Sequence, residues 1–452
     1  YENMVVYILD DSPGCLYKEI AGNIGVQYIS RPNHGVDKKS GNLNYALEHV
    51  PESDHVLVLD ADFKPHKDML REMVPYAAPD IALVQTPQHF ELSDRVFKRS
   101  KIEYGAGYTQ REFFSLTQVA RDRFGAAICV GTNALYNRPA LEAVNGFARV
   151  EHSEDVITGL LALNHMQPNG EPYRIRYLPL QLATGTSPNN YYSFFRQQNR
   201  WATGTIGFAF RSLFSKTLRP TQKVIYFSNC LYYLYTLSML FLPLQVLAFI
   251  SSSGRQFDYV YLFIPQIIMR LVIMPYVLRR KHRRLATIIT VTASAFIFLQ
   301  AFYMLLARRT LGWEITGGNT NAKHRHMDFW RLKAFATVYY FVMYIGTFVL
   351  AITTHSIGLN GSIALEVLFG FSIVAQTIHM IYMHLHDVDE TSPRLSKLVL
   401  PVKSFSNHSF SYSTIPNAIS AKFQSISKSM TEALFGRLNG AHDIFSKMVS
   451  RD

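Results

Sequence analysis

Cysteine is scarce in this sequence: Cys15, Cys129 and Cys230 are the only three among 452 residues. Their spacing fits no metal-ligand pattern and an odd count builds no disulfide framework, so neither a zinc site nor a stapled secreted scaffold is indicated. Reduced thiols facing the cytoplasm are the expectation. Acidic residues are also in deficit, 33 against 45 Lys and Arg, for a formal charge of +12. Such an excess can mark a nucleic-acid binder, but many of these cations sit in short connections beside apolar segments, where the positive-inside rule puts them. The basicity is therefore read as membrane topology plus a site for an anionic substrate, and nucleic acid is not an expected partner.

Nearly half the residues, 48%, are apolar, so a large core is within reach. The composition is uneven. Residues 1 to about 220 read as an α/β domain, whereas about 224 to 385 holds five long apolar segments. Met4 to Leu9 is already a buried-type strand, ending on Asp10, Asp11 and Ser12. A nucleotide-binding sheet opening there would have a bare edge, which predicts further sequence upstream.

The most informative stretch is His55 to Asp62, HVLVLDAD, an unbroken apolar run that stops on two carboxylates. The lack of alternation predicts a strand of a parallel sheet buried on both faces. Ligands of open α/β sheets bind beyond the carboxyl ends of the strands, so Asp60 and Asp62 would stand at the mouth of a crevice. Alternation would put them on one side, able to converge on a hard cation that bridges a diphosphate. Taken alone, an Asp-x-Asp after an apolar run is more often a helix cap or a turn.

Lys38 and Lys39 are expected just before an amphipathic helix that starts near Gly41, where cationic side chains and free N–H groups can face a phosphate. A solvated loop lysine is the plainer alternative. Further strands and helices alternate through Ile81 to Gln85, which again argues for a parallel, doubly wound sheet. A small-residue turn at Gly131 and Thr132 follows. Ser153 then offers a cap for a helix whose first turn carries Glu154 and Asp155, and the helix dipole alone would account for an acid there. Tyr191 to Phe210 reads as a helix with Arg196, Gln197, Arg200 and Trp201 near its middle.

In the second half, 224–250 and 259–278 are each long enough to cross a hydrocarbon core, which takes about 20 residues. RRKHRR at 279–284 places the return of this hairpin on the inner side. Length and hydropathy alone make 285–307 a third span, but it has basic residues at both ends and polar Thr and Ser along it, which favours an interfacial helix on the cytoplasmic face over that span. A second hairpin, 334–354 and 362–385, leaves the tail 386–452 inside.

Four separated motifs fall in one order: Asp10-Asp11, Asp60-Ala61-Asp62, Ser153-Glu154-Asp155 and the QQNRW of Gln197 to Trp201. That order resembles the processive family-2 glycosyltransferases, most closely the bacterial cellulose synthases and cellulose-synthase-like proteins, over roughly residues 4 to 385. KSGN at Lys39 to Asn42, QTPQHF at Gln85 to Phe90 and WEIT at Trp313 to Thr316 resemble further segments of that family.

The resemblance implies a GT-A type nucleotide-sugar transferase domain over 1–221, with a mostly parallel α/β sheet that lacks its usual first strand. An α-helical transmembrane domain would follow over 222–385, then the cytoplasmic tail. It implies a nucleotide pocket at Asp10 and Asp11, a diphosphate contact at Lys39, and Asp60 and Asp62 on the nucleotide sugar and its Mg2+ or Mn2+. Asp155 matches the general base that takes the acceptor hydroxyl's proton. Gln197, Arg200 and Trp201 match an acceptor and leaving-group signature, Arg200 on the departing diphosphate and Trp201 as platform for the terminal sugar. Trp313 and Thr316 belong to a gating loop at about 310–325.

The chemistry is coherent on its own terms. Expelling UDP needs positive charge on the diphosphate and a base for the incoming hydroxyl. An indole binds the apolar face of a sugar ring while allowing it to slide. The expected protein is a multi-pass plasma-membrane enzyme with its catalytic domain in the cytoplasm. It would polymerise glucose from UDP-glucose into a β-glucan and export the chain through its own channel, with an accessory subunit outside the membrane as a further partner. Rival readings are a chitin- or hyaluronan-type synthase using UDP-N-acetylglucosamine, a non-processive transferase to a lipid carrier, and a binding or channel protein with a dead catalytic domain. The chain also departs from the family pattern: SED stands for the commoner TED, and the Val-Pro-x-Tyr-Asn-Glu type first strand is absent.

Overall fold

The computed structural model describes residues 3–12, 14, 16–90, 101–150, 153–185, 188, 191–238, 240, 284–307, 309 and 327–356. The chain divides into two compact units, Tyr1–Thr391 and Ser392–Asp452, the second wholly outside the described residues.

The first unit opens with β1 (Tyr7–Asp10), α1 (Leu16–Ile24) and β2 (Gln27–Ser30), the two strands paired in parallel. Met4, Val5 and Val6 precede β1 and are exposed. After α2 (Lys38–His49) come β3 (His55–Val58), β4 (Lys64–Pro65), α3 (Met69–Met73), β5 (Ile81–Gln85) and β6 (His89–Phe90). A long helical stretch, α4 (Lys101–Glu112), passes through a π-helical turn at Phe113–Thr117 into α5 (Gln118–Arg123). Then follow β7 (Ala134–Asn137), α6 (Arg138–Ala143), α7 (Glu154–Asn164), β8 (Arg174–Tyr177) and β9 (Ala183–Gly185).

The central sheet has the order β3-β7-β5-β8 and is mixed, not mostly parallel. β7 runs antiparallel to both β3 and β5, and β5 pairs in parallel only with β8. The chain leaves β5, passes through β6 and the helical stretch α4–α5, and enters β7 from the turn at Gly131 to Asn133 in the direction opposite to β5, so this connection is not the parallel crossover the sequence predicts. Side chains alternate between two cores. Val58, Leu83, Ala134 and Tyr136 face the helical layer with Val156, Ile157, Leu160 and Phe208, while Val84 and Leu135 face Met69, Met73 and Leu178. β3 is an edge strand whose only fully buried residue is Val58, so the expectation of burial on both faces is corrected.

Four long helices complete the described residues: α8 (Tyr191–Leu213), α9 (Pro220–Ser238), α10 (Arg284–Leu306) and α11 (Met327–Ser356). α10 is largely apolar and packs against α4, α8 and α9, burying Ala293, Phe296, Ile297, Phe298 and Ala301. Phe329 of α11 inserts among Tyr191, Tyr192 and Phe195 of α8. The expected segment 285–307 coincides with α10, and 334–354 lies within α11. The segment 224–250 is described only to residue 240, while 259–278, 362–385 and the tail lie outside the described residues. Among the described residues no helix is long and apolar enough to cross a membrane.

Candidate active site

The site forms where the carboxyl end of β3, the first turn of α2, the turn before β7 and the start of α7 meet. Asp60 and Asp62 are not placed by strand alternation as expected. The backbone N–H of Phe63 donates to the Asp60 carbonyl at 3.0 Å, closing a tight turn that holds both acids, with the Phe63 ring buried under Gly185 and beside Phe90. Asp60 is fixed further by its backbone N–H, which donates to Thr132 Oγ1 at 2.9 Å.

Lys39 lies inside the first turn of α2, one turn earlier than the sequence suggests. Its ammonium pairs with Asp60 and donates to the Gly131 carbonyl at 2.7 Å. Burial would lower its pKa, but the charge and hydrogen bond of Asp60, followed by Glu154 and Asp155, hold it above the ordinary lysine value. Lys39 is thus the cation shared by the DAD and SED motifs.

Gly131 supplies the join. It has φ of +81°, a left-handed conformation suited to glycine, and a Cβ there would come within 2.8 Å of Asp155 Oδ2. The turn that carries it is held from below by Gln85. The Gln85 amide donates to the carbonyls of Thr86 and Thr132 at 2.8 Å and accepts from the Val130 N–H at 2.9 Å. Thr86 and Gln88 add bonds to Asn133 and Val130. The QTPQHF segment therefore acts as a bracket for the turn.

Asp155 is half-buried, and one of its oxygens accepts from the Val156 N–H at 2.8 Å. Its carboxyl is pushed up to about 7, first by burial and then by the adjacent Glu154 charge, against the lowering pull of the Val156 N–H, Lys39 and Arg200. A base poised near neutrality is what proton removal from a sugar hydroxyl requires. Asp62 is exposed yet also raised, by partial desolvation and then by Asp60.

Ser153 does not cap α7. Its φ of 55° turns the backbone left-handed, it makes no side-chain capping bond, and its side chain lies against Gly204 of α8. A Cβ at Gly204 would overlap Ser153 Oγ and stand 2.5 Å from its Cβ. This close approach docks the SED turn on the helix bearing Gln197, Arg200 and Trp201, whose spacings of three and four place them on one face of α8. All three are half-buried, while Gln198 and Asn199 face the core.

Asp10 and Asp11 stand apart from this cluster. Asp10 accepts from the Ser12 N–H and hydroxyl at 2.9 and 2.6 Å and from the Tyr28 hydroxyl at 2.8 Å. Burial alone would raise its pKa, but these bonds outweigh it and hold the carboxyl below its ordinary value. Asp11 is gripped at both oxygens by Arg31, at 2.6 and 2.7 Å. Trp313 and Thr316 lie outside the described residues. Arg31, the Gln85 bracket's grip on 130–133, and Gly204 escaped the sequence reading. Only the Gly131-Thr132 turn left a signal, as a pair of small residues between apolar runs.

A nucleotide-sugar transferase is the class that fits an acid near neutrality beside a lysine and an arginine, beyond the strand ends of a mixed α/β domain. Residues 16–204 match the model of the family described as glycosyltransferase like family 2. More particularly, the chain is similar to bacterial cellulose synthases, among them UDP-forming catalytic subunits. It is 31% identical over 253 residues to the cellulose synthase 1 catalytic subunit of Komagataeibacter xylinus, covering 55% of this chain and 33% of that one. The cellulose synthase catalytic subunit of Xanthomonas axonopodis pv. citri is 29% identical over 237 residues, 51% of this chain and 31% of its own. Cellulose synthase 1 of Novacetimonas hansenii is 31% identical over 254 residues, 55% and 16% respectively. The chain spans about a third or less of the length of these relatives.

Proposed function

We propose that this chain is the catalytic part of a processive, inverting glycosyltransferase that extends a β-glucan from UDP-glucose and delivers the product through its own membrane domain. The single observation that carries the reading is the convergence of Lys39, Asp60 and Asp155 around the Gly131 turn, with the charge of Arg200 acting on Asp155. Asp155 takes the proton from the acceptor hydroxyl as its oxygen attacks the anomeric carbon, and Lys39 and Arg200 neutralise charge on the leaving diphosphate. Asp10 walls the nucleotide pocket, with Asp11 beside it held at both oxygens by Arg31. Trp201, four residues from Gln197 on the same face, supplies the platform for the terminal sugar of the acceptor.

A divalent cation suits the donor set. Among the described residues no cluster of three or more His, Cys, Asp or Glu side chains is arranged to hold a metal unaided. Two neighbouring carboxylates, Asp60 and Asp62, fit a hard ion that brings phosphate oxygens with it, as Mg2+ and Mn2+ do. Bound there, the ion would stabilise the diphosphate as it departs. The membrane domain, over 222–385, and an accessory export subunit complete the proposal, with the catalytic domain on the cytoplasmic side of the plasma membrane.

The test is to give membranes carrying the full-length protein radiolabelled UDP-glucose and, separately, UDP-N-acetylglucosamine, with and without EDTA. Product from UDP-glucose that is degraded by a β-glucanase, lost on chelation and restored by Mg2+ or Mn2+ is expected. Incorporation only from the N-acetylated donor, or a single sugar on lipid, would replace this reading, and indifference to EDTA would remove the metal from it.

A further inference from the structure

Arg31 follows the last residue of β2 and is almost fully buried, at 2% exposure, although arginine is rarely taken out of water without a purpose. Its guanidinium makes a two-pronged pair with Asp11, Nε to Oδ1 at 2.6 Å and Nη2 to Oδ2 at 2.7 Å. The same Nη2 also donates to the backbone carbonyl of Lys38 at 3.1 Å. Asp11 in turn accepts from the Gly35 N–H at 3.1 Å, so the Asp11–Arg31 pair holds the loop 31–38 at its start, its middle and its end.

That loop ends in an unusual helix start. Asp37 and Lys38 both have φ of 50°, two consecutive non-glycine residues in the left-handed region, and Asp37 offers no side-chain capping bond to α2. Such a conformation persists only where its surroundings over-determine it. The Arg31 guanidinium lies against Gly41, where any Cβ would overlap Nη1 and the Val36 carbonyl, so the first turn of α2 is wrapped around this one side chain. The residue immediately after the carbonyl held by Arg31 is Lys39, which reaches Asp60 and the Gly131 carbonyl.

We propose that Arg31, held by Asp11, is a positioning residue for the donor: it sets the start of α2 so that Lys39 is delivered to the diphosphate, and Asp11 acts through it instead of on the nucleoside. This rests on the reading of Lys39 as a diphosphate contact. A lysine displaced by one residue's worth of backbone rotation points away from Asp60, so losing the grip on Lys38 costs the phosphate interaction and leaves the uridine end untouched.

The experiment measures equilibrium binding of UDP and of uridine to the full-length protein carrying Arg31→Gln, Arg31→Lys, Lys39→Met, or Arg31→Gln with Lys39→Met. Removal of a charge-assisted contact predicts that Arg31→Gln weakens UDP roughly tenfold or more. Uridine binding should stay within about twofold, which also reports an intact pocket. The double variant should be no worse than Lys39→Met alone, since the two residues act in series, and Arg31→Lys should recover part of the loss. Uridine weakened as much as UDP, or losses from the two substitutions that simply add, would overturn the positioning role. Should Lys39→Met leave UDP binding unchanged, the diphosphate reading of Lys39 fails and the positioning role falls with it. Should Lys39→Met weaken UDP while Arg31→Gln does not, the positioning role alone fails.

Discussion

Asp155 shows how a side chain acquires a chemical role from its surroundings. An aspartate in water is ionised well below neutrality, and here burial and Glu154 raise it to about 7 while Lys39 and Arg200 limit the rise. A base must be deprotonated to work, so kcat/KM should climb about tenfold per pH unit below about 7 and flatten above it. Asp155→Asn should abolish transfer while sparing UDP affinity. Arg200→Gln should move the limb to higher pH, because the cation that favours the ionised form is gone, besides slowing the reaction. A pH–rate profile of the three proteins checks this, and a limb left in place by Arg200→Gln would separate that arginine from the base. The linkage has the opposite sign to the common carboxylate case. The folded state binds this proton more tightly than the unfolded chain, so the contribution to stability declines as pH rises from about 4 to about 7. Asp155→Asn should flatten that slope in thermal melts.

Among the elements, the contact between α7 and α8 is the most exposed to test. Ser153, left-handed at the start of α7, lies where a side chain on residue 204 would be, so the SED turn and the QQNRW helix approach only because residue 204 has none. Gly204→Ala should force the two apart, costing about 1–3 kcal/mol of stability and most of the transfer activity. Adding Ser153→Gly removes the obstructing atoms, suits the positive φ and should restore both. If activity stays lost while stability returns, Ser153 has a further part in the reaction. This relation was hidden in the sequence, where 51 residues separate the partners. Ser153 reads naturally as a helix cap, since the residue type and the acidic first turn that follows are the usual signal. Its backbone conformation, set by packing against α8, overrides that propensity. The Asp60–Asp62 pair has the opposite history. The two acids were legible as the acidic end of an apolar run, but the device that holds them is the turn closed by Phe63.

At the scale of the whole molecule, the long helices α10 and α11 carry the apolar surface. α10 packs against α4, α8 and α9 but leaves Leu299, Tyr303 and Leu306 exposed, and α11 presents Phe335, Val338, Phe341, Val342, Ile345 and Val349 outward. A row of exposed large apolar side chains on a 30-residue helix needs a nonaqueous neighbour. We expect the full-length protein to remain in the pellet when membranes are washed at alkaline pH and to be released only by detergent. We also expect cysteines placed at either end of 285–307 to be labelled from the cytoplasmic side alone. Release by the alkaline wash, or labelling of the 307 end from outside, would count against the proposed topology.

Apolar runs and their spacing were enough to read an α/β domain with acidic clusters after its strands, and the resemblance of the motif order to the family-2 glycosyltransferases added the transferase role and the roles proposed for its acids and cations. These are properties of residue type and sequence order, and they are present before the chain folds. The antiparallel entry of β7, the Gln85 bracket under the Gly131 turn, the passage of Arg31 from Asp11 to the start of α2, and the contact of Ser153 with Gly204 were decided only on folding. Each joins residues that are distant in the chain or depends on a backbone angle that no local pattern announces. Close packing selects such contacts by shape, and shape exists only once the elements have met.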